Sequence, residues 1–159
     1  MILGKASIKF DEAPYIQSYA SVVGKKEGEG PLGAVFDEVV EDPMFGGENW
    51  EDAEGRLQAK IAQNAMKKGE FTPENIRYIY AGDLLGQLIA TFFGLKDMNI
   101  PLFGLYGACS TMGEALSLGA MSVAGGFSDC TMCLTSSHFA SAEKTFRFPL
   151  GYGTQRKFS

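Results

Sequence analysis

The sequence has few of the features that usually reveal a protein's partners or compartment. Its 159 residues include three cysteines, one histidine and one tryptophan, and no run of basic residues is longer than two. With a net charge of -5, the chain lacks the basic face that nucleic-acid binding needs, so we expect no nucleic acid among its partners. Three cysteines without a secretion signal predict free thiols in a reducing compartment.

Long apolar runs are also missing. The most apolar stretches, residues 84–95 and 116–127, are too short or too rich in glycine to cross a membrane. No apolar segment of the signal-peptide kind follows the start of the chain. We therefore expect neither a transmembrane segment nor a signal peptide. The composition is 45% hydrophobic and 12% aromatic, which is enough to fold one compact domain.

Apolar spacing divides the chain into alternating strands and helices. From Trp50 onward, apolar residues recur every three or four positions, and Gly69 ends that helix. The other predicted elements are strands at 2–10, 76–80, 100–106 and 129–134, loops at 23–33 and 42–49, and helices at 84–95 and 109–123. The last helix is apolar nearly all round, so we expect it to be buried on most sides. The alternation predicts an α/β fold with a mixed or parallel sheet and helices on both faces.

Polar clusters follow three of the predicted strands. They are Gly82-Asp83, Gly107-Ala108-Cys109 and Ser136-Ser137-His138. In sheets of this type, ligands bind at the carboxyl ends of the strands. We therefore expect the three clusters to converge on one site.

Cys109 is the strongest candidate for chemistry. Gly107 and Ala108 let the backbone turn sharply before it, and the predicted helix starts at Cys109 itself. The dipole at a helix start favours a thiolate, and the N–H groups of the first turn bind anions. Ser110 and Thr111 add hydroxyl donors. A buried structural cysteine is the alternative, and the position alone leaves both open.

Three further polar residues each have a functional and an ordinary interpretation. Asp83 either orients a ligand or accepts hydrogen bonds from the turn that opens the next helix, and the local sequence favours the second. His138 either pairs with Cys109 or is a satisfied polar residue, which is the commoner case. Arg147 either holds a carboxylate through two parallel hydrogen bonds or is an ordinary loop charge.

Cys130 and Cys133 have the spacing of a metal-binding pair. In a strand, however, two residues three apart point to opposite faces of the sheet. The sequence has no second pair of this kind and no histidine that supports it, so we predict two core residues and no zinc site.

Taken together, these motifs indicate a protein family more specifically than any one motif does. The chain resembles the stage V sporulation protein AD family of spore-forming Firmicutes, a thiolase-like group. The matching stretches, in family order, are 30–33 with 36–37, 49–51, 81–85, 107–111, 125–127, 135–138 and 142–149. The stretch Gly107–Thr111 alone would indicate only a thiolase-like fold. Together with Ala81–Leu85 and Thr135–His138, it indicates this family.

The resemblance implies a fold of two similar α/β halves, with residues 1–159 forming the first half as a single domain. It also implies non-catalytic binding of dipicolinic acid, pyridine-2,6-dicarboxylate, free or as its calcium chelate, for uptake into the developing spore. No other cofactor, no metal site and no catalytic residue is expected. The expected ligand-binding residues are Asp83, Cys109, Ser110, Thr111, Ser136, Ser137, His138 and Arg147.

The family also implies partners and a location. It works with stage V sporulation membrane proteins of the same operon at the inner membrane of the forespore. We therefore expect a peripheral location at that membrane and partners among those proteins. Thiolase-like folds usually dimerise, so the resemblance also implies a homodimer.

The length of the chain orders the functional hypotheses. A thiolase-like chain of two domain-sized halves is about twice as long, so we expect residues 150–159 to be a truncated tail. Thiolase enzymes take their catalytic histidine and second cysteine from the second half. A ligand-binding protein therefore ranks first and an inactive fragment second. An acyl-transfer enzyme of the thiolase or ketoacyl-synthase class, with Cys109 as nucleophile, ranks third.

Overall fold

A parallel sheet of three strands organises the chain. The computed structural model describes residues 2–144. Its strands are β1 (Ile2–Leu3), β2 (Ser7–Ile8), β3 (Val22–Gly24), β4 (Glu38–Val40), β5 (Tyr78–Gly82), β6 (Leu102–Gly104) and β7 (Thr131–Thr135). Its α-helices are α1 (Lys25–Gly28), α2 (Trp50–Gly69), α3 (Ile89–Leu95) and α4 (Thr111–Ala124), and residues 139–144 are also helical. The α/β prediction is confirmed.

The sheet has the strand order β6-β5-β7, and both pairings are parallel. Ile79 in the central strand lies opposite Leu102 on one side and Met132 on the other. Side chains alternate between the two faces of each strand. Ile79 and Met132 pack against α2 and α3, whereas Tyr80 and Cys133 pack on the α4 side. Helices therefore cover both faces, as predicted.

Helix α2 has the boundaries that the sequence predicts. The side chain of Asn49 accepts a hydrogen bond from the backbone N–H of Asp52 (2.9 Å), which caps the helix start. Acidic residues occupy the first turn and basic residues the last turn, so both ends complement the helix dipole. After Gly69, Glu70 adopts a left-handed conformation (φ 56°) and ends the helix.

Several local predictions were wrong. The strand at 2–10 is a hairpin, because a turn at Gly4 (φ 61°) separates β1 from β2. The loop at 23–33 contains the end of β3 and the whole of α1, since Val22–Gly24 pairs with β4. The helix at 84–95 begins only at Ile89, because Gln87 and Leu88 have positive φ angles that interrupt it. The loop at 42–49 is confirmed.

The burial predicted for the last helix was also wrong. Only one narrow stripe of α4 is buried, and it consists of Thr111, Ala115, Gly119 and Ser122. These small residues let the helix approach β7 so closely that a Cβ at Gly119 would lie 2.6 Å from Cys133 Sγ. The large side chains Met112, Leu116, Leu118 and Met121 are 36–41% exposed. No described element covers that side of the helix.

Candidate functional site

The carboxyl ends of the three strands converge as predicted. The carbonyl of Gly82, the last residue of β5, accepts hydrogen bonds from the Ser136 backbone (3.3 Å) and the Thr135 hydroxyl (3.2 Å). The backbone N–H of Leu105 donates a hydrogen bond to the Ala81 carbonyl (2.8 Å). A Cβ at Gly82 would collide with the Leu105 carbonyl, so only glycine allows this approach. The segments after β5, β6 and β7 therefore meet at one edge of the sheet.

Cys109 lies on a turn at this edge. The turn is a 3-10 segment, Ala108–Ser110, and Ala108 adopts a left-handed conformation (φ 48°). Helix α4 starts at Thr111, two residues later than predicted, because the 3-10 turn comes first. Cys109 is exposed, so the interpretation as a buried structural cysteine was wrong. The thiol precedes a 14-residue helix and is open to a ligand.

The hydroxyls beside Cys109 stabilise the turn itself. Ser110 donates to the Gly107 carbonyl (2.7 Å), and Thr111 donates to the Ala108 carbonyl (2.8 Å). The Thr111 oxygen also accepts from the Gly107 backbone (3.1 Å). Ser110 is exposed and Thr111 is buried. Their protons are therefore already committed to the backbone of the turn that carries Cys109.

Asp83 performs the role that the local sequence favoured. It is buried, and its carboxylate accepts from the Leu85 backbone (2.7 Å) and from both the backbone (2.8 Å) and the hydroxyl (2.6 Å) of Thr91. These bonds hold the irregular turn that leads into α3. Its acceptor contacts all lie within the chain, so Asp83 is occupied by its own turn rather than presented at the edge.

His138 has a partner other than Cys109. Its Nε2 atom contacts the Pro43 carbonyl (2.7 Å). Its ring packs on Trp50 (5.4 Å between ring centroids) and edge-on against Phe45 (6.0 Å). The interpretation of His138 as a satisfied polar residue is therefore correct for Nε2 and for the packing of the ring. Nδ1, in contrast, is buried and has no hydrogen-bond partner among the described residues. Ser137 next to it is exposed, and Arg147 lies outside the described residues.

A buried polar network below the edge was not predicted. Gln58 Nε2 lies within hydrogen-bond distance of three acceptors, the Gly82 carbonyl (3.1 Å), the Thr91 hydroxyl (3.0 Å) and the Ser136 hydroxyl (2.9 Å), and its two protons serve two of them at a time. The Ser136 hydroxyl donates to Glu54 Oε1 (2.8 Å), and Ser141 contacts Glu54 Oε2. The network joins α2 to the ends of β5 and β7. It also buries Ser136, which was expected to face the ligand.

The sequence contains one signal for this network. Glu54 and Gln58 are four residues apart on α2, directly beside its apolar face, and both are completely buried.

Burial raises the pKa of the Glu54 carboxyl above its ordinary value, and the nearby Asp83 raises this pKa further, against the lowering effect of the two serine hydroxyls.

The two remaining cysteines lie on opposite faces of the sheet, as predicted, but they are half-buried residues that pack against the core rather than members of it. Cys130 packs against the cluster beneath α2, whereas Cys133 donates to the Ala115 carbonyl of α4 (3.2 Å). Burial raises the pKa of both thiols, so both stay protonated. Within residues 2–144, no three His, Cys, Asp or Glu side chains cluster in a way that could hold a metal ion.

Two clefts lie away from this edge. One, of about 560 Å³, opens at the opposite end of the sheet between Asn75, Arg77, Asn99 and Asp129. Another, of about 330 Å³, lies between the sheet and α4 and is lined by Tyr80, Phe103 and Met121. Neither includes Cys109 or His138. Among the described helices, none has both the length and the apolar character needed to cross a membrane.

The fold and this edge define a class of protein. A parallel sheet lies between helices, and a cysteine turn precedes the helix that packs on one face, consistent with one half of a thiolase-like fold. Comparison with known proteins is more specific. The family model described as stage V sporulation protein AD matches residues 4–159, and the chain belongs to this family. Membership supports a role in sporulation.

One curated relative shows how much of such a protein this chain represents. Stage V sporulation protein AD of Bacillus subtilis (strain 168) is 34% identical to it over 155 residues. The match covers 98% of this chain but 46% of the relative, so the chain spans less than half of that protein's length.

Proposed function

We propose that this chain binds dipicolinic acid, free or as its calcium chelate, without turning it over, for uptake into the developing spore. One observation carries the proposal. At the carboxyl edge of the sheet, Cys109 and Ser110 are exposed on a turn before α4, whereas Asp83 and Ser136 are buried in hydrogen bonds of their own. The open part of the edge is therefore the start of a helix.

The chemistry of a helix start suits this ligand. Dipicolinate is a flat dianion, and backbone N–H groups at a helix start attract and bind anions. The net charge of -5 gives no long-range attraction, so the local dipole has to supply it. Asp83 is occupied by three donors of its own segment, so the proposal assigns it no direct contact with the ligand.

Within the described residues, the geometry does not pair Cys109 with the base that acyl transfer needs. A nucleophilic cysteine is activated by an adjacent base, and the histidine at this edge already contacts the Pro43 carbonyl through Nε2. The alternative remains testable. In acyl transfer, the Cys109 sulfur would attack a thioester carbonyl, form a new thioester and release the thiol of the donor.

The expectations about partners belong to the same proposal. We propose a peripheral location at the inner membrane of the forespore, contact with stage V sporulation membrane proteins of the same operon, and a homodimer. Family membership supports these expectations.

Calorimetric titration of the purified chain with dipicolinic acid, with and without calcium, tests the proposal. We expect saturable binding that benzoate does not reproduce. Cys109→Trp should abolish binding by filling the space over the turn, and Cys109→Ala should change it modestly. Gln63→Trp, at an exposed position of α2, is the matched control and should bind like the parent chain.

Two outcomes would contradict the proposal. If a chain that unfolds cooperatively does not bind, the inactive-fragment hypothesis gains. If intact mass shows an acetyl group on Cys109 after exposure to acetyl-CoA, and Cys109→Ala removes it, the enzyme hypothesis gains.

A further inference from the structure

Glu54 joins α2 to both ends of the segment that follows β7. Its Oε1 atom accepts from Ser136 (2.8 Å), the first residue after the strand, and its Oε2 atom contacts Ser141. The His138 backbone, between the two serines, is also near enough to this carboxyl to lower its pKa. Glu54 itself is completely buried. One side chain therefore anchors residues 136–141 to the helix.

The charged groups around Glu54 do not compensate a carboxylate. From the turn after β5 it faces Asp83, which is also acidic. From the segment after β7 it faces His138, whose backbone rather than ring makes the contact. Lys144, on the helical residues 139–144, is paired with Glu51 (2.7 Å) at the surface. A buried carboxylate without a cation is costly, so this environment favours the neutral acid.

The neutral acid satisfies one more contact at Ser141 than the carboxylate does, while the His138 carbonyl accepts from the Ala142 backbone N–H (3.0 Å) in either state. The Ser141 oxygen contacts both Glu54 Oε2 and the His138 carbonyl (3.0 Å). Both oxygens are acceptors when Glu54 is ionised, and one hydroxyl proton can serve only one of them. If Glu54 carries a proton on Oε2, it donates to Ser141, and Ser141 donates to His138. Both contacts are then hydrogen bonds.

We propose that Glu54 is a positioning residue that, as a neutral carboxylic acid, holds residues 136–141 against α2 and so places Ser136 and His138 at the carboxyl edge of the sheet. Ionisation of Glu54 weakens this attachment. The proposal goes beyond ligand binding and does not depend on it, because every contact that supports it lies within the chain.

The sign of the pH effect follows from the raised pKa of Glu54. The folded state keeps the Glu54 proton above the ordinary value of 4.5, where the unfolded chain has lost it. Its contribution to stability is therefore complete below pH 4.5 and is lost as the pH rises through the folded-state pKa. For each unit by which folding raises the pKa, the unfolding equilibrium constant increases about tenfold once Glu54 has ionised in the folded state.

Two measurements on the 159-residue chain test the proposal. Urea unfolding between pH 5 and pH 8 should show wild-type stability falling with pH relative to Glu54→Gln, which is neutral throughout. Glu51→Gln, an acid on the same helix but at the surface, should keep the wild-type slope. Trp50 is the only tryptophan and packs on His138, so its emission reports the position of the segment. Glu54→Gln should preserve that emission and Glu54→Ala should shift it to longer wavelength.

Either of two results would overturn the inference. One is a Glu54→Gln chain with the same slope as the wild type. The other is a Glu54→Gln chain whose Trp50 emission shifts at pH 5, because a neutral isostere should keep the segment in place. If Glu54→Ala does not fold, the proposal is still tested by the pH dependence of stability in the wild type and Glu54→Gln, and by the Trp50 emission of Glu54→Gln.

Discussion

The two faces of the central sheet are built differently. On the α2 side, Ile79, Ala81 and Leu134 form a closed core with residues of α2 and α3. On the α4 side, the buried cluster consists of Tyr80, Leu105 and Ala115, and Phe103 stacks on Tyr80 (5.1 Å) while remaining about half exposed. Both faces are apolar, but the described residues cover only one of them completely.

The difference shows that apolar composition does not determine burial. Helix α2 has a lower share of apolar residues than α4, yet it buries seven residues, including Glu54 and Gln58. Helix α4 buries four, and they are small or polar. What is buried depends on which side of a helix meets another element, because burial needs a partner surface within contact distance.

Shortening one buried side chain to alanine should show most clearly that the two faces of the sheet contribute differently to stability. Ile79→Ala removes a completely buried side chain beneath α2, and we expect a loss of about 2–5 kcal/mol in the free energy of unfolding. Leu116→Ala, on the exposed side of α4, should cost about 1 kcal/mol or less. Urea denaturation measures both. Equal losses would mean that the α4 side is covered in solution.

The contact between α2 and α3 gives the second test. A Cβ at Gly94 would collide with the Gly55 carbonyl, so Gly94→Ala should force the helices apart. We expect a loss of about 1–3 kcal/mol. Thermal unfolding of this variant gives the measurement. A variant as stable as the wild type would show that the two helices adjust without cost.

The smallest effect is expected at Gly113, on the open side of α4. No atom lies within 4 Å of where its Cβ would be. Because alanine has the higher helix propensity, Gly113→Ala should stabilise the chain by about 0.5–1 kcal/mol. Denaturation under the same conditions would detect the gain, and a loss would indicate that another surface packs against this side.

Local pattern predicted the elements that carry their own start and stop signals. Helix α2 has a capping residue, Asn49, and an apolar stripe, so its limits could be predicted from adjacent residues. The strand assignments β5, β6 and β7 were correct to within a few residues for the same reason. The interruption at Gln87 and Leu88 could not be predicted, because it depends on Asp83 accepting the hydrogen bonds of the turn.

At the candidate site, the sequence predicted the edge but not the network beneath it. The cysteine turn and Asp83 follow strands, and parallel topology brings strand ends together. Glu54 escaped prediction because its partners Ser136 and Ser141 are 82 and 87 positions away. The spacing of Glu54 and Gln58 beside an apolar face marks a polar pair on α2, but it does not show which element packs against that pair.

The sequence by itself determined the alternation of strands and helices, the α/β class, the position of Cys109 before a helix and the family. These depend on short-range spacing and on motifs of a few residues. Only the tertiary structure decided that Cys109 is exposed, that His138 contacts Pro43, that Ser136 is buried against Glu54, and that α4 keeps its large apolar side chains open. The physical reason is that burial and hydrogen-bond partners depend on contacts between segments far apart in the chain.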